Sequence, residues 1–244
     1  MENRTILTDV AVRRAYRSDV RVHEKEQGYT LSRAQRVYNR IKRVLDIFLA
    51  LIAVIILSPV LVICAVAIKC DSKGPAIFKQ NRVGKGGKPF RVYKFRTMRT
   101  DAPSNVATSE MKDANSYITK VGNFLRKTSL DELPQFFNVL KGDMSLIGPR
   151  PLVETETEIH EKRMQCGIYS LRPGVTGLAQ VSGRDLVTID EKVRYDREYL
   201  ETFSLLTDIK IIFRTVGVVL FHKYYAEGSD LPENQEKEKP ENQK

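Results

Sequence analysis

Apolar residues dominate one stretch of this chain. Residues 44–68, VLDIFLALIAVIILSPVLVICAVAI, have 22 apolar positions out of 25, and the pair Ser58-Pro59 interrupts them. An unbroken helix of this length measures roughly 37 Å, more than the roughly 30 Å hydrocarbon core of a bilayer. The pattern therefore predicts that the protein works at a membrane.

Two features of this stretch argue against a simple transmembrane span. Pro59 removes a backbone hydrogen bond and clashes with the preceding turn, so we expect the helix to bend at Ser58 and Pro59. Basic residues, which favour the cytoplasmic side, flank both ends. A re-entrant helix satisfies both flanks, with a true span and a buried soluble helix as alternatives. The flanking basic residues are Arg36, Arg40, Lys42, Arg43, Lys69, Lys73, Lys79 and Arg82.

The rest of the pattern predicts an α-rich α/β domain. AIFKQNRVG and PFRVYKFRTM lie on either side of KGGK and predict a β-hairpin. Helices are expected over about 119–141, 153–165 and 189–202, with a polar loop at 100–116 and a turn-rich, strand-like segment at 172–184. Residues 205–225 place apolar side chains at helical spacing among basic ones, which predicts a helix lying in the membrane interface. A helix of the soluble core is the alternative there.

Charge narrows the classes of partner. The net charge is +10, and residues 227–244 hold six acids and three lysines, so the remainder carries +13. Such an excess indicates anionic lipid headgroups or an anionic substrate such as a nucleotide or lipid phosphate; nucleic acid is not expected. Three cysteines without a C-x-x-C pair and three scattered histidines predict no disulfide framework, zinc site or histidine-based triad.

The segment RKTSLDELP at 126–134 is the strongest local signal for chemistry. Ser129 and Glu132 have the spacing of a capping box, and Pro134 suits the start of a helix. Asp131 and Glu132 would then lie in the first turn, where acids stabilise a helix through its dipole. Alternatively, the two carboxylates beside Arg126 hold Mg²⁺, and one of them attacks a phosphorus.

Basic residues elsewhere offer phosphate contacts. Lys94 and Arg96 fall on one face of a predicted strand, where they suit either a phosphate or simple adhesion to a membrane. Pro149 and Pro151 restrict Arg150 from both sides, which suits bidentate contact with a phosphate or base edge, or else a structural turn. Gly183-Arg184 is similarly ambiguous.

Taken together, these motifs resemble those of bacterial sugar transferases of the monotopic polyprenol-phosphate phosphoglycosyl transferase family. The resemblance covers roughly residues 38–226. It rests on the Ser-Pro break and on KRVLDI at 42–47, KFRTM at 94–98, RKTSLDELPQ at 126–135, NVLKGDMSLIGPRP at 138–151 and RPGVTGLAQVSGR at 172–184.

This resemblance implies a Mg²⁺-dependent transfer of a phosphosugar from a UDP-sugar to polyprenol (undecaprenyl) phosphate, with release of UMP. Asp131 would be the nucleophile that forms a covalent phosphosugar intermediate, and Glu132 would help to hold the metal. The remaining implied roles are phosphate binding by Lys94, Arg126 and Arg184, uridine contact by Pro149, Arg150 and Pro151, and a lesser role for Asp208 in the polar network of the site.

The same resemblance implies a monotopic protein on the cytoplasmic face of the inner membrane, in contact with an anionic bilayer. We expect a polar extension at 1–37, a basic lead-in and re-entrant helix at 38–70, a cytosolic catalytic domain at 71–226 and a disordered tail at 227–244. Because larger relatives carry extra membrane helices, we expect a minimal catalytic module. A homodimer and the identity of the sugar are left open. The rival functions are a glycosyltransferase that releases UDP and a non-catalytic scaffold.

Overall fold

One long helix and two small sheets organise the part of the chain that the computed structural model describes, residues 30–103, 111, 114–183 and 187–220. The strands are β1 (Ile77–Val83), β2 (Pro89–Phe95), β3 (Ser145–Ile147) and β4 (Gly174–Thr176). The helices are α1 (Arg33–Asp71), α2 (Ala114–Tyr117), α3 (Lys120–Lys127), α4 (Gln135–Lys141), α5 (Thr157–Gln165), α6 (Leu178–Ser182), α7 (Ile189–Glu201) and α8 (Leu205–Leu220). The predicted tail, most of the extension and most of the 100–116 loop lie outside the described residues.

Helix α1 contains the whole apolar stretch. Ser32 and Gln35 form a capping box that starts it. At the Ser-Pro pair, the Ser58 hydroxyl donates to the Ile55 carbonyl at 2.8 Å, which is the acceptor that the missing N–H of Pro59 leaves without a helical donor. Among the described residues, α1 is the one helix long and apolar enough to cross a membrane. The predicted bend stays a prediction.

Both halves of α1 pack against the same domain. Before the Ser58-Pro59 pair, Ala50 packs with Val92, Val139 and Met144, which are buried. Near its end, Cys64 and Ile68 pack with Phe95 and Leu125. Between these contacts most apolar side chains are exposed, among them Ile55, Ile56, Val62 and Ile63. The exposed middle of the helix is therefore bounded by protein contacts on both sides.

The predicted hairpin is confirmed. Strands β1 and β2 pair antiparallel, with Ile77 opposite Phe95 and Val83 opposite Pro89. The KGGK turn places Gly86 and Gly87 at a φ of 64°, a conformation that favours glycine. Alternation then buries one side of the hairpin against α1 and α4.

The helical region predicted over about 119–141 consists of two helices, α3 and α4. Helix α3 ends at Lys127, Ser129 adopts the left-handed conformation with φ 57°, and a 3₁₀ turn over Leu130–Glu132 leads into α4. The predicted capping box is wrong, because the Ser129 side chain makes no capping bond. Pro134 does lie at the start of α4, as predicted.

Strands β3 and β4 form a short parallel pair that joins two of the recognised motifs. The backbones approach so closely that a Cβ atom on Gly174 or Gly177 would lie 2.1 Å from an atom of Gly148. The strand-like prediction for 172–184 holds only for β4, since the chain turns into α6 after Gly177. Around this pair lies the main core, which includes Ile147, Ile159, Ile168, Leu178, Tyr199 and Leu200.

The last two described helices match their predicted positions. Helix α7 begins with a capping box between Thr188 and Glu191. Helix α8 buries Asp208 and Ile211, and Val218 packs against the core, but most of its other described apolar side chains are exposed, with Phe213 at 74%. An outward apolar face agrees better with the predicted interfacial helix than with a core helix.

Candidate active site

The two acidic residues lie in the 3₁₀ turn between α3 and α4, facing β2. Oε1 of Glu132 is 3.1 Å from Nζ of Lys94 and 3.2 Å from Nη1 of Arg150. One carboxylate oxygen thus joins a cation from the hairpin to a cation from the loop after β3. The structure therefore brings together three of the predicted site residues from distant parts of the sequence.

Asp131 occupies the centre of this charge cluster. Burial raises the pKa of its carboxyl group, the charge of Lys94 lowers it, and the neighbouring Glu132 raises it again. Arg126 and Arg150 add weaker lowering effects. No hydrogen bond among the described residues involves the Asp131 side chain. A poorly solvated carboxylate surrounded by cations is suited to attack an anionic phosphorus centre.

Arg126 is positioned by the way α3 packs on the end of the hairpin. Its Nε donates to the Thr97 hydroxyl at 2.9 Å. The contact requires a glycine on α3, because a Cβ atom on Gly122 would lie 2.0 Å from the Thr97 carbonyl oxygen. The close approach of α3 to residue 97 thus places Arg126 near Asp131.

Arg82 belongs to the same cluster, although in the sequence it stands out only as one of the basic residues that flank the apolar stretch. Its guanidinium donates to Gln80 at 2.6 Å and 3.0 Å and to the Pro151 carbonyl at 3.2 Å. Burial and the charge of Arg150 lower the pKa of Arg82 to about 10. The register of the hairpin could have indicated this position, because Arg82, Gln80 and Lys94 lie on the same face of the two paired strands.

Arg96, which suited either a phosphate contact or adhesion to a membrane, instead closes the end of α1. Its guanidinium donates to the carbonyls of Lys73 at 2.6 Å and Ser72 at 2.7 Å. Strand β2 ends at Phe95, so the alternation of faces does not extend to Arg96. Gly74, at φ 120°, leaves room for this arginine. The role of Arg96 is therefore structural.

Asp208 lies in a different buried network. It accepts hydrogen bonds from Tyr38 at 2.5 Å and Tyr199 at 2.6 Å and pairs with Lys42 at 2.7 Å. These partners join α1, α7 and α8. Arg184 falls outside the described residues, while Ser58 and Pro59 lie in the exposed middle of α1.

Magnesium is compatible with the acidic pair. The described residues contain no group of three or more His, Cys, Asp or Glu side chains that could form a complete protein cage. Mg²⁺, however, is commonly held by one or two carboxylates together with substrate phosphates and water. Asp131 and Glu132 provide those carboxylates, and the oxygen of Glu132 that holds Lys94 and Arg150 is fixed in place.

Comparison with known proteins gives a consistent picture. The model of a family described as bacterial sugar transferase matches residues 37–222. A UDP-N-acetylgalactosamine-undecaprenyl-phosphate N-acetylgalactosaminephosphotransferase of Aeromonas hydrophila is 42% identical over 204 residues, covering 82% of this chain and 48% of that protein. UDP-glucose:undecaprenyl-phosphate glucose-1-phosphate transferases of Escherichia coli and Caulobacter vibrioides are each 43% identical, over 72% and 73% of this chain and 39% and 69% of their own lengths. The chain thus spans about half or less of the first and second of these relatives.

Proposed function

This chain belongs to the bacterial sugar transferase family, and we propose that it transfers a sugar phosphate from a UDP-sugar to undecaprenyl phosphate and releases UMP. The observation that carries the proposal is the acidic turn of Asp131 and Glu132, where Glu132 pairs with both Lys94 and Arg150. The relatives are named for N-acetylgalactosamine, glucose and galactose, so the proposal names no sugar. The long apolar helix and family membership together indicate association with a membrane.

The reaction consists of two displacements at one phosphorus. An Asp131 oxygen bonds to the phosphorus that carries the sugar, and the bridging P–O bond breaks so that UMP leaves with the bridging oxygen. An oxygen of undecaprenyl phosphate then attacks the same phosphorus, the Asp131–phosphorus bond breaks, and undecaprenyl diphosphate sugar is formed. Both steps require positioning and charge neutralisation more than proton transfer, consistent with a site that lacks histidine among its described residues.

The cations near the acidic pair would neutralise the charge of the phosphates in both steps. Lys94 and Arg150, held on Glu132, and Arg126, held on Thr97, surround the position that the phosphate oxygens would occupy. Mg²⁺ bound at the acidic pair would neutralise further negative charge on the transferred group. Rigid cations are effective here because they need little reorganisation as charge moves between the phosphates.

We propose that α1 is re-entrant and that the domain lies on the cytoplasmic face. Residues on both sides of the Ser58-Pro59 pair, Ala50 before it and Cys64 and Ile68 after it, belong to buried apolar clusters of the domain. The apolar side chains between them are mostly exposed. A helix that leaves the domain, bends at the proline and returns would account for this pattern.

Product analysis tests the function. Protein in nanodiscs with undecaprenyl phosphate, Mg²⁺ and a panel of UDP-sugars is expected to release UMP with one or more donors. Asp131→Asn is expected to lower turnover by roughly 10⁴- to 10⁶-fold, the range seen when one member of a catalytic triad is removed. Without the lipid acceptor, the wild type should gain the mass of a sugar phosphate.

The matched control is Asp101→Asn, which changes an exposed carboxylate paired with Arg99 and should leave turnover unchanged. Wild-type turnover in Asp131→Asn would remove that residue from the mechanism. UDP as the product would indicate a sugar-only glycosyltransferase. Nucleotide binding without any product would indicate a scaffold.

The exposed Cys70, near the end of α1, can report the topology. In a Cys64→Ala/Cys166→Ser background, a membrane-impermeant thiol reagent is expected to label Cys70 in inverted vesicles and not from the opposite face. Pro59→Leu should straighten the helix and shift labelling towards the opposite face. Wild-type labelling from the opposite face alone would contradict the re-entrant helix, and unchanged labelling in Pro59→Leu would show that the proline does not set the topology.

A further inference from the structure

The loop that carries Arg150 is held in place through its backbone. The carbonyl oxygen of each of five successive residues accepts a hydrogen bond. Two of its residues, Pro149 and Pro151, already have a fixed φ. The contacts are Gly174 N to Pro149 O at 2.9 Å, Arg163 Nη1 to Arg150 O at 2.8 Å, Arg82 Nη1 to Pro151 O at 3.2 Å, Val83 N to Leu152 O at 3.0 Å and His160 Nε2 to Val153 O at 2.7 Å. We call residues 149–153 the clamped loop.

Arg163 contributes the contact nearest to the chemistry, since its acceptor is the carbonyl of Arg150 itself. The second nitrogen of the same guanidinium, Nη2, lies 2.5 Å from Oδ2 of Asp196 on α7. The side chains of Arg163 and Asp196 are only 3% and 2% exposed. An arginine can serve both acceptors at once because its donors lie in a fixed planar fork.

Stability alone does not account for this pair. Removing two opposite charges from water costs several kcal/mol for each ion, and apolar side chains of similar volume are often as stabilising or more so. The ion pair differs from an apolar pair in having a directed donor left over for a third group. That donor is aimed at the backbone of Arg150.

We propose that Arg163 and Asp196 are positioning residues for sugar-phosphate transfer, which act by fixing Arg150 where it meets Glu132 and the phosphates of the donor. This inference rests on the function proposed above. A continuous line of contacts runs from Asp196 through Arg163 to the Arg150 carbonyl, and from the Arg150 side chain to Glu132 at 3.2 Å. Losing the first contact should therefore weaken what Arg150 does and leave Asp131 and Lys94 in place.

A double-mutant cycle separates this role from a general effect on folding. In the wild type, Arg150→Ala should lower kcat/KM for the UDP-sugar about 30-fold, in the range expected for charge-assisted hydrogen bonds. In an Arg163→Met/Asp196→Leu background, where the buried pair is replaced by apolar side chains, the same change should cost about threefold or less. UDP affinity, measured by calorimetry, should show the same loss of additivity.

The matched control is Arg197→Met/Glu201→Leu, which makes the same substitutions in an exposed pair within α7. In that background Arg150→Ala should keep its full effect. A full effect of Arg150→Ala in the Arg163→Met/Asp196→Leu background would overturn the inference. If that background does not fold, Arg163→Lys takes its place, because a lysine keeps the charge opposite Asp196 but lacks the forked pair of donors.

Turnover of the wild type comes first, so that the two proposals can fail separately. Release of UMP that depends on Asp131, together with an additive cycle, would reject only the positioning role. Absence of UMP with every donor would reject the proposed function and this inference with it. Release of UMP with a non-additive cycle would support both.

Discussion

Lys94 is the side chain through which the hairpin acts on the acidic pair. It contacts Glu132 directly, and its charge lowers the pKa of Asp131 against the raising effect of burial. Its own burial is unfavourable for a cation. The position is therefore better explained by its effect on the carboxylates than by a gain in folding free energy.

Replacing this lysine should change the pH dependence of turnover. Asp131 must be ionised to attack, so activity falls as the pH drops through the pKa of Asp131. Removing the lowering effect of Lys94 raises that pKa further, and Lys94→Met should shift the acid limb of kcat/KM to higher pH. The measurement is UMP release at saturating lipid acceptor across a pH series.

The control for this shift is Lys162→Met, which removes an exposed lysine paired with Glu158 and Asp190. Its acid limb should coincide with that of the wild type. An acid limb that stays in place in Lys94→Met, or that moves to lower pH, would show that Asp131 is not the titrating group.

At the scale of elements, α3 depends on a glycine for its position. A Cβ atom on Gly122 would meet the Thr97 carbonyl, whereas Gly217 in α8 has nothing within 4 Å of the same atom. The two glycines lie in helices, so an identical substitution tests close packing at one site and backbone entropy at the other.

Gly122→Ala is expected to destabilise the protein by about 1–3 kcal/mol through overpacking and to lower activity by displacing Arg126. Gly217→Ala should stabilise it by up to about 1 kcal/mol, because alanine loses less backbone entropy in a helix. Denaturation of the two variants in the same detergent gives both values. Equal shifts of one sign would contradict the packing described for α3.

At the scale of the whole molecule, the buried network of Lys42, Tyr38, Tyr199 and Asp208 ties α1 to α7 and α8. Lys42 also lies 3.5 Å from Asp46, whose carboxylate accepts from the Leu146 backbone. One lysine thus balances two buried acids at the base of α1.

Lys42→Met should therefore cost about 3–5 kcal/mol, because it leaves buried carboxylates without a cation. Lys42→Met/Asp208→Asn should recover part of that loss, since it removes the buried negative charge and its amide oxygen can still accept from one of the two tyrosines. Thermal unfolding compares the variants, and turnover per folded molecule should change little. A large loss of turnover in stably folded protein would return Asp208 to the catalytic site.

Elements whose hydrophobic periodicity lies within one continuous stretch of residues were predictable from the sequence. Helix α1, the hairpin, α7 and α8 each carry their own periodicity. A helix start near Ser129 was indicated by the spacing of Ser129, Glu132 and Pro134, but the left-handed conformation of Ser129 was not predictable, because it has no periodic signature. The helix after Gly177 was missed because glycine and proline punctuation around it indicated turns.

The site residues likewise fall into those with a local sequence signal and those without one. Asp131, Glu132, Lys94, Arg126 and Arg150 were named from motifs, and the contacts of the described residues bring these side chains to one place. Arg163 and Asp196 were missed because they bind a backbone carbonyl group and each other. A carbonyl acceptor is the same in every residue, so no local pattern marks it.

Helix α1 also has a consequence for how the protein is made. A fragment beginning after residue 71 would leave Val92, Val139, Phe95 and Leu125 without the apolar side chains that cover them. Such a fragment is expected to aggregate rather than persist as a water-soluble enzyme. Because the helix is synthesised before the segments it covers, those segments can fold directly onto it. Cleavage after α1 is therefore expected to inactivate the protein rather than to release a working domain.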